Sequence, residues 1–379
     1  MKSPLIEILS PFPFSAISTD STEFSRCVEL ARRHSVGMLF YSRLKKHYAG
    51  SNACIDDYLK QNEHAYLKTV ARSMRQEALE KDVVAAFSKR GIPTCIIKGY
   101  EIARSIYDDP NCRSSADIDV LIRTSDLINA DKILCENGFM RQDSLPLPFW
   151  IGRLHHAVYS SARKICLLEL HWDFGYPLYF NLTPDEIWNG VVRSDMEGYF
   201  LAPESMVILL FMHHFRHGFR EFKILVDILW SFHRYYGIIN WQEFAGKLKQ
   251  IGLIKTAIII LDQLDSLWRL SDGQLESFKL LRKQLESLPI HTPKFLLRYF
   301  KIDIEKEYKT SGALDMEMSK LVLDKKSKVL YSFVKILFPR PQDIMAFYPE
   351  TGNWMLPFNY LRFICWRITK WTVFTKSRV

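Results

Sequence analysis

A chain of 379 residues, 48% hydrophobic and 25% charged, can bury one large core or two modest ones, so it is a globular protein. Its formal charge of +9 and isoelectric point near 9.0 favour anionic partners, a nucleotide ahead of nucleic acid, because the basic residues are dispersed and no nucleic-acid-binding motif is present. Seven cysteines at 27, 54, 95, 112, 135, 166 and 365, an odd total without a Cys-x-x-Cys, argue against a disulfide framework and a thiolate zinc site, and fit a reducing cytoplasm.

Glu7, Pro11 and Pro13 interrupt any signal-peptide core, so no export signal is expected. Residues 22–46 and 55–89 carry apolar positions at helical spacing without a proline, which predicts two long helices. Arg90-Gly91-Ile92-Pro93 stops the second. Residues 94–173 read as mixed: strand 94–98, helix 100–107, strand 117–122, helix 126–137 ended by Asn137-Gly138, a strand near 139–142 and a last strand over 165–172. After Pro203 the pattern returns to helices through about residue 339, clearest over 206–219, 222–236 and 241–251.

The tail from residue 340 is rich in proline and aromatic residues. Over 360–376 it mixes Phe363, Ile364, Trp366, Ile368, Trp371 and Phe374 with Arg362, Arg367 and Lys370, as an interfacial helix would, although packing on the body is the commoner fate of such a segment. No apolar run reaches the roughly 18–20 residues of a membrane span. The expected fold class is α+β: an N-terminal helical region (1–92), a small mixed-sheet core (93–200), a C-terminal helical lobe (201–339) and the aromatic, basic tail (340–379).

The run Asp117-Ile118-Asp119-Val120-Leu121-Ile122 stands out. Strand alternation turns both carboxylates to one face and Ile118, Val120 and Ile122 to the other. Even a neutral polar group left unpaired in a core costs roughly 2–7 kcal/mol, so two acids at its rim point to a bound cation, and a divalent metal is the natural one. The plain alternative is a pair of solvated aspartates at a strand start. In the last strand Leu168 and Leu170 point one way and Leu167, Glu169 and His171 the other, so Glu169 faces the same cleft if the two strands are neighbours.

Lys98-Gly99, Tyr107, Pro110, Arg113, Asp117-Ile118-Asp119 and Glu169-Leu170-His171-Trp172 follow in that order, flanked by Ala31-Arg32-Arg33-His34 and by Lys223 to Asp227. On these residues most of the chain resembles the uncharacterised nucleotidyltransferase family of the polymerase-β-like superfamily. It departs from the wider superfamily in carrying Lys98-Gly99 where Gly-Ser is usual, and Ala116 where relatives often have Gly. The resemblance implies transfer of a nucleoside monophosphate from an NTP such as ATP to an acceptor hydroxyl. Asp117, Asp119 and Glu169 would hold Mg²⁺ or Mn²⁺, with Glu169 also taking the acceptor's proton; two such ions about 3.5–4 Å apart suit in-line displacement. Relatives that sit among genes for surface-polysaccharide or peptide natural-product assembly imply a small-molecule, glycan or peptide acceptor.

Other residues carry two readings each. Lys98 and Gly99, between a strand and a helix, can meet a phosphate through a point charge and free backbone N–H groups. Arg113 can fork onto the triphosphate or serve as an ion-pair partner of the aspartates. Lys223 and Asp227, four apart on a helix, can form an ion pair or lend Lys223 to a phosphate. His213, His214 and His217 have a spacing that can share zinc, but they lack the glutamate of a His-Glu-x-x-His motif and are expected to pack at the lobe boundary or to touch the nucleotide. A degenerate nucleotide-binding accessory protein and a membrane-peripheral scaffold are the rival functions.

Overall fold

The computed structural model describes residues 3–12, 21–50, 52–142, 147, 151, 154–161, 166–175, 179–194, 198–270, 275–306, 315, 318–337, 341, 344–345, 348 and 352–365. The stretch 22–46 is two helices where one is predicted: α1 (Pro4–Ile8) is followed by α2 (Ser21–Arg33) and α3 (Gly37–Tyr48). Ser35 takes a φ of 58°, Ser35 N–H donates to Arg32 O and Val36 N–H to Ala31 O, a left-handed stop that hydrophobic periodicity does not register. α4 (Ala53–Ser88) is one helix of 36 residues, capped by the Asn52 side chain accepting from Cys54 N–H.

Seven strands form one mixed sheet: β1 (Cys95–Ile96), β2 (Asp117–Leu121), β3 (Phe139–Arg141), β4 (His156–Ser161), β5 (Leu167–His171), β6 (Val191–Ser194) and β7 (Gly198–Leu201), in the order β3-β4-β5-β2-β1-β7-β6. β2 is central, parallel to β5 and antiparallel to β1. α5 (Tyr100–Ile106) follows β1 and α6 (Leu127–Glu136) follows β2; after the short α7 (Pro184–Asn189) come α8 (Pro203–Arg216), α9 (Phe222–Arg234), α10 (Trp241–Ile251), α11 (Ile254–Trp268), α12 (Glu276–Glu286), α13 (Lys294–Tyr299) and α14 (Lys326–Leu337). The fold is α+β. β4, β6 and β7 lie outside the predicted strands; the buried positions of β4 are Ala157, Tyr159 and Ser161, too small or polar to read as an apolar face.

One sheet face, with Ile118, Val120, Leu168 and Leu170, buries against Val83 and Phe87 of α4 and Ile133 and Leu134 of α6. A second, larger cluster joins Leu5, Phe24 and Phe40 of the N-terminal helices to Phe211, Ile228 and Leu264 of the C-terminal ones. The indoles of Trp230 and Trp268 donate to Leu9 O at 2.9 Å and Ile6 O at 2.8 Å, so chain segments more than two hundred residues apart share buried hydrogen bonds.

The histidines of α8 take structural partners. His214 Nε2 meets Gln263 Oε1 at 2.8 Å, and the Gln263 amide donates to Phe219 O and Phe300 O, while His217 pairs with Glu221. In the tail, Phe363 buries against Ile344 and Tyr348, leaving Trp354, Phe358 and Leu361 exposed; residues 366–379 of the predicted interfacial segment lie outside the described residues. Among the described residues no helix is long and apolar enough to cross a membrane.

Glu80, on α4, is only 8% exposed, and burial together with Glu101 and Glu77 pushes its carboxyl up to about 8. A folded-state pKa above the unfolded one means that its stabilising contribution is complete below about 4.5 and is lost as pH rises through 8. Glu80→Gln, neutral at every pH, should therefore gain on wild type between pH 5 and 8, by up to about 1.4 kcal/mol per pH unit. Urea unfolding across that range checks it, and parallel stability curves would refute it.

Candidate active site

The parallel pairing of β2 with β5 sets Asp117 opposite Leu167, Asp119 opposite Glu169 and Leu121 opposite His171. Because alternate residues share a face, Asp119, Glu169 and His171 converge, each offering one ligating atom within 4.8 Å of the others. His171 Nε2 is 2.9 Å from Asp119 Oδ1 and 3.1 Å from Glu169 Oε2. Lys98, two residues past β1, bonds Asp119 Oδ1 through Nζ and lies 3.8 Å from Glu169 Oε2. Asp117, half-buried, stands outside this trio, its Oδ1 accepting from Ser115 Oγ at 2.9 Å.

Electrostatics follow from the packing. Burial alone would raise the Asp119 carboxyl, but Lys98 and His171 outweigh it and hold the group far below the usual carboxylate range. Glu169 shows the same contest, burial opposed chiefly by the hydrogen bond from His171, and it too ends below its ordinary value. Both stay ionised at neutral pH, as ligands of a hard cation must.

Gly99 is fixed in place by close approach. Its φ is +63°, and a Cβ there would lie 3.2 Å from Asp117 O and 3.4 Å from Ser115 Oγ. Arg113 faces Asp227, not Asp117 or Asp119: Nε donates to both Asp227 oxygens at 2.9 and 3.0 Å, and Nη1 donates to Gly99 O at 3.2 Å. Tyr107 OH donates to the same Asp227 at 2.7 Å. The Asp227 carboxylate is thus taken up by Arg113 and Tyr107, and Lys223 turns to Ser114 O at 2.6 Å, where burial draws its amine down to about 8. From α4, Gln76 Nε2 donates to Ser115 O at 3.3 Å.

Several site residues escape sequence reasoning. Alternation aligns His171 with Glu169, so its place was readable, although nothing local assigns it a role. His156, the β4 partner of His171, and His155 beside it cluster with that ring, one nitrogen from each lying within 4.8 Å. Arg216, at the end of α8, reaches His155 Nε2 through Nη1 and His213 Nδ1 at 3.2 Å through Nη2.

The model of the uncharacterised nucleotidyltransferase family matches residues 20–269, a span that contains every residue just described. The chain belongs to that family. No curated protein and no solved structure matches. Membership in the nucleotidyltransferase family supports nucleotidyl transfer as the general activity, and hence a transferase.

In this nucleotidyltransferase, Gly99→Ala combines the strain of a φ of +63° with a ψ of −125°, a conformation that glycine enters freely and other residues only at about 1–3 kcal/mol, with a Cβ pressed on the backbone of β2. Gly237→Ala, at φ +76° with nothing within 4 Å of its Cβ, carries the strain alone. Thermal unfolding should show Gly99→Ala losing more stability than Gly237→Ala; equal losses would show that β2 yields freely at Gly99.

Proposed function

We propose that the protein moves a nucleoside monophosphate from an NTP to a hydroxyl on a small-molecule, glycan or peptide acceptor, with pyrophosphate as the leaving group, using Mg²⁺ or Mn²⁺. The observation that carries this reading is the Asp119–Glu169 register in a chain of the nucleotidyltransferase family. Two ionised carboxylates side by side on a sheet face, already balanced by positive charge, are an oxygen donor set of the right hardness for such a cation. Asp119 and Glu169 would hold it, with Asp117 at the more open end of β2. When bound, the cation would neutralise charge on the transferring phosphoryl group and acidify the attacking hydroxyl.

The chain's own groups divide the remaining work. Lys98, which bonds Asp119, would share that carboxylate with the cation and set a point charge beside the transferring phosphate. Gly99 lets the backbone between β1 and α5 lie close to Asp117, and Arg113, through Gly99 O, holds that backbone in position. Lys223 and Gln76 fix Ser114 and Ser115, the approach to β2. Glu169 receives the acceptor's proton; with its carboxyl held low by His171, it is a weak base suited to an already acidified hydroxyl.

Asp119→Asn and Asp117→Asn should weaken Mg²⁺-dependent binding of a non-hydrolysable NTP and abolish transfer, because each removes a full negative charge from the cation's surroundings. Glu169→Gln should weaken that binding as Asp119→Asn does, since it too removes a charged cation ligand, and with the proton acceptor gone it should lower transfer by at least about 10²–10⁴. Calorimetry with and without Mg²⁺ reads the binding half before the acceptor is known. Absence of metal-dependent nucleotide binding by wild type, or wild-type binding by both aspartate variants, would replace this reading with a non-catalytic one.

A further inference from the structure

Arg216 is a half-buried cation that, among the described residues, makes no ion pair with a carboxylate. Its contacts are to two imidazoles, His155 Nε2 and His213 Nδ1, one from the sheet side and one from its own helix. A guanidinium has five N–H donors and no acceptor, so each of these contacts is a donation to a ring-nitrogen lone pair. Both rings are suited to accept, since burial, with Arg216 next for His155 and Lys98 next for His213, holds them well below the ordinary histidine range and therefore neutral. The histidines thus fix the plane of the fork without cancelling its charge, which carboxylates in their place would do.

From this geometry we propose that Arg216, oriented by His155 and His213, is an anion-binding residue that receives phosphate oxygens in the cleft beside Asp119 and Glu169. His155 belongs to the same imidazole cluster as His171, and His171 touches both carboxylates, so two rings stand between the fork and the acidic pair. The remaining N–H donors of Arg216 match a phosphate's paired oxygens, and a fork orients a phosphate as a point charge does not. The imidazole cluster His155, His156 and His171 could also be read as a nitrogen site for zinc, but Arg216 already uses one nitrogen of His155 and sets a positive charge against any dication there. The phosphate belongs to the triphosphate of the donor or to a phosphorylated acceptor. The existence of the site does not depend on the nucleotidyltransferase reading; only the source of the phosphate does.

Calorimetry on the full chain tests the proposal with tripolyphosphate and with glucose 1-phosphate as probes, each without metal. Wild type should bind at least one, and Arg216→Gln should weaken that binding by roughly tenfold to a hundredfold, the usual weight of a charge-assisted contact. Arg216→Lys, which keeps the charge and loses the fork, should recover only part of it. Loss confined to tripolyphosphate assigns the donor's tail, and loss confined to glucose 1-phosphate assigns the acceptor. Asp119→Asn, which removes a negative charge and frees Lys98, should not weaken metal-free tripolyphosphate binding, whereas it should weaken the Mg²⁺-dependent binding, which separates this site from the cation-dependent one. Wild-type affinity for both probes in a folded Arg216→Gln protein, no binding of either by wild type, or one zinc per chain that is lost in His156→Ala would overturn the proposal.

Discussion

Two carboxylates placed side by side on a largely buried sheet face repel each other, and burial penalises each of them besides; left alone, one would take up a proton. The β2–β5 pairing creates this conflict at Asp119 and Glu169, and the neighbouring elements resolve it. Lys98, two residues past β1, brings its ammonium to Asp119, and β5 ends on His171, whose Nε2 lies between the two acids. A sheet of different order would separate the acids from one another or from their counter-charges. The register is therefore the constraint from which the site's chemistry follows.

A second buried charge pair, Arg113 with Asp227, ties the helical lobe to this register. Such a pair gives little net stability against well-packed apolar residues, yet removing one partner strands a charge at a typical cost of about 3–5 kcal/mol. Its effect here is positional: Asp227 is fully buried on α9, Tyr107 OH and Arg113 Nε both donate to it, and Arg113 Nη1 reaches back to Gly99 O. Lys223, one turn earlier on the same helix, holds Ser114 O just ahead of β2. One helix thus restrains both backbone segments that approach Asp117, and a rotation of α9 would be felt at Gly99 and at Ser114 together.

Local pattern was enough to find the acidic residues and the face they share, because strand alternation is a property of neighbours in sequence. The α+β class and the 36-residue α4 were legible for the same reason. Partnership was not. Asp227 lies 114 residues from Arg113, and nothing in the i, i+4 spacing of Lys223 and Asp227 tells that each turns to a different loop contact. The break at Ser35 escaped notice because a serine at positive φ leaves the hydrophobic spacing on either side intact. β4 escaped because its inward positions include Ala157 and Ser161, and with it went His155 and His156, whose relevance depends wholly on lying next to β5.

The histidines also explain how a cleft can hold strong charges of both signs without their collapsing onto one another. Between the acids at Asp119 and Glu169 and the guanidinium of Arg216 stand His171 and His155, two rings almost wholly withdrawn from water. A carboxylate in place of His155 would pair with Arg216 and cancel its charge, whereas at the other end Lys98 already offsets part of the charge of the acids. The buried, neutral imidazole of His155 accepts from the guanidinium while adding no net charge beside it. On the proposed reading, a metal–triphosphate complex has the same polarity in reverse, cation toward the carboxylates and phosphate oxygens toward Arg216, so the carboxylates at one end and Arg216 at the other specify which way round it lies.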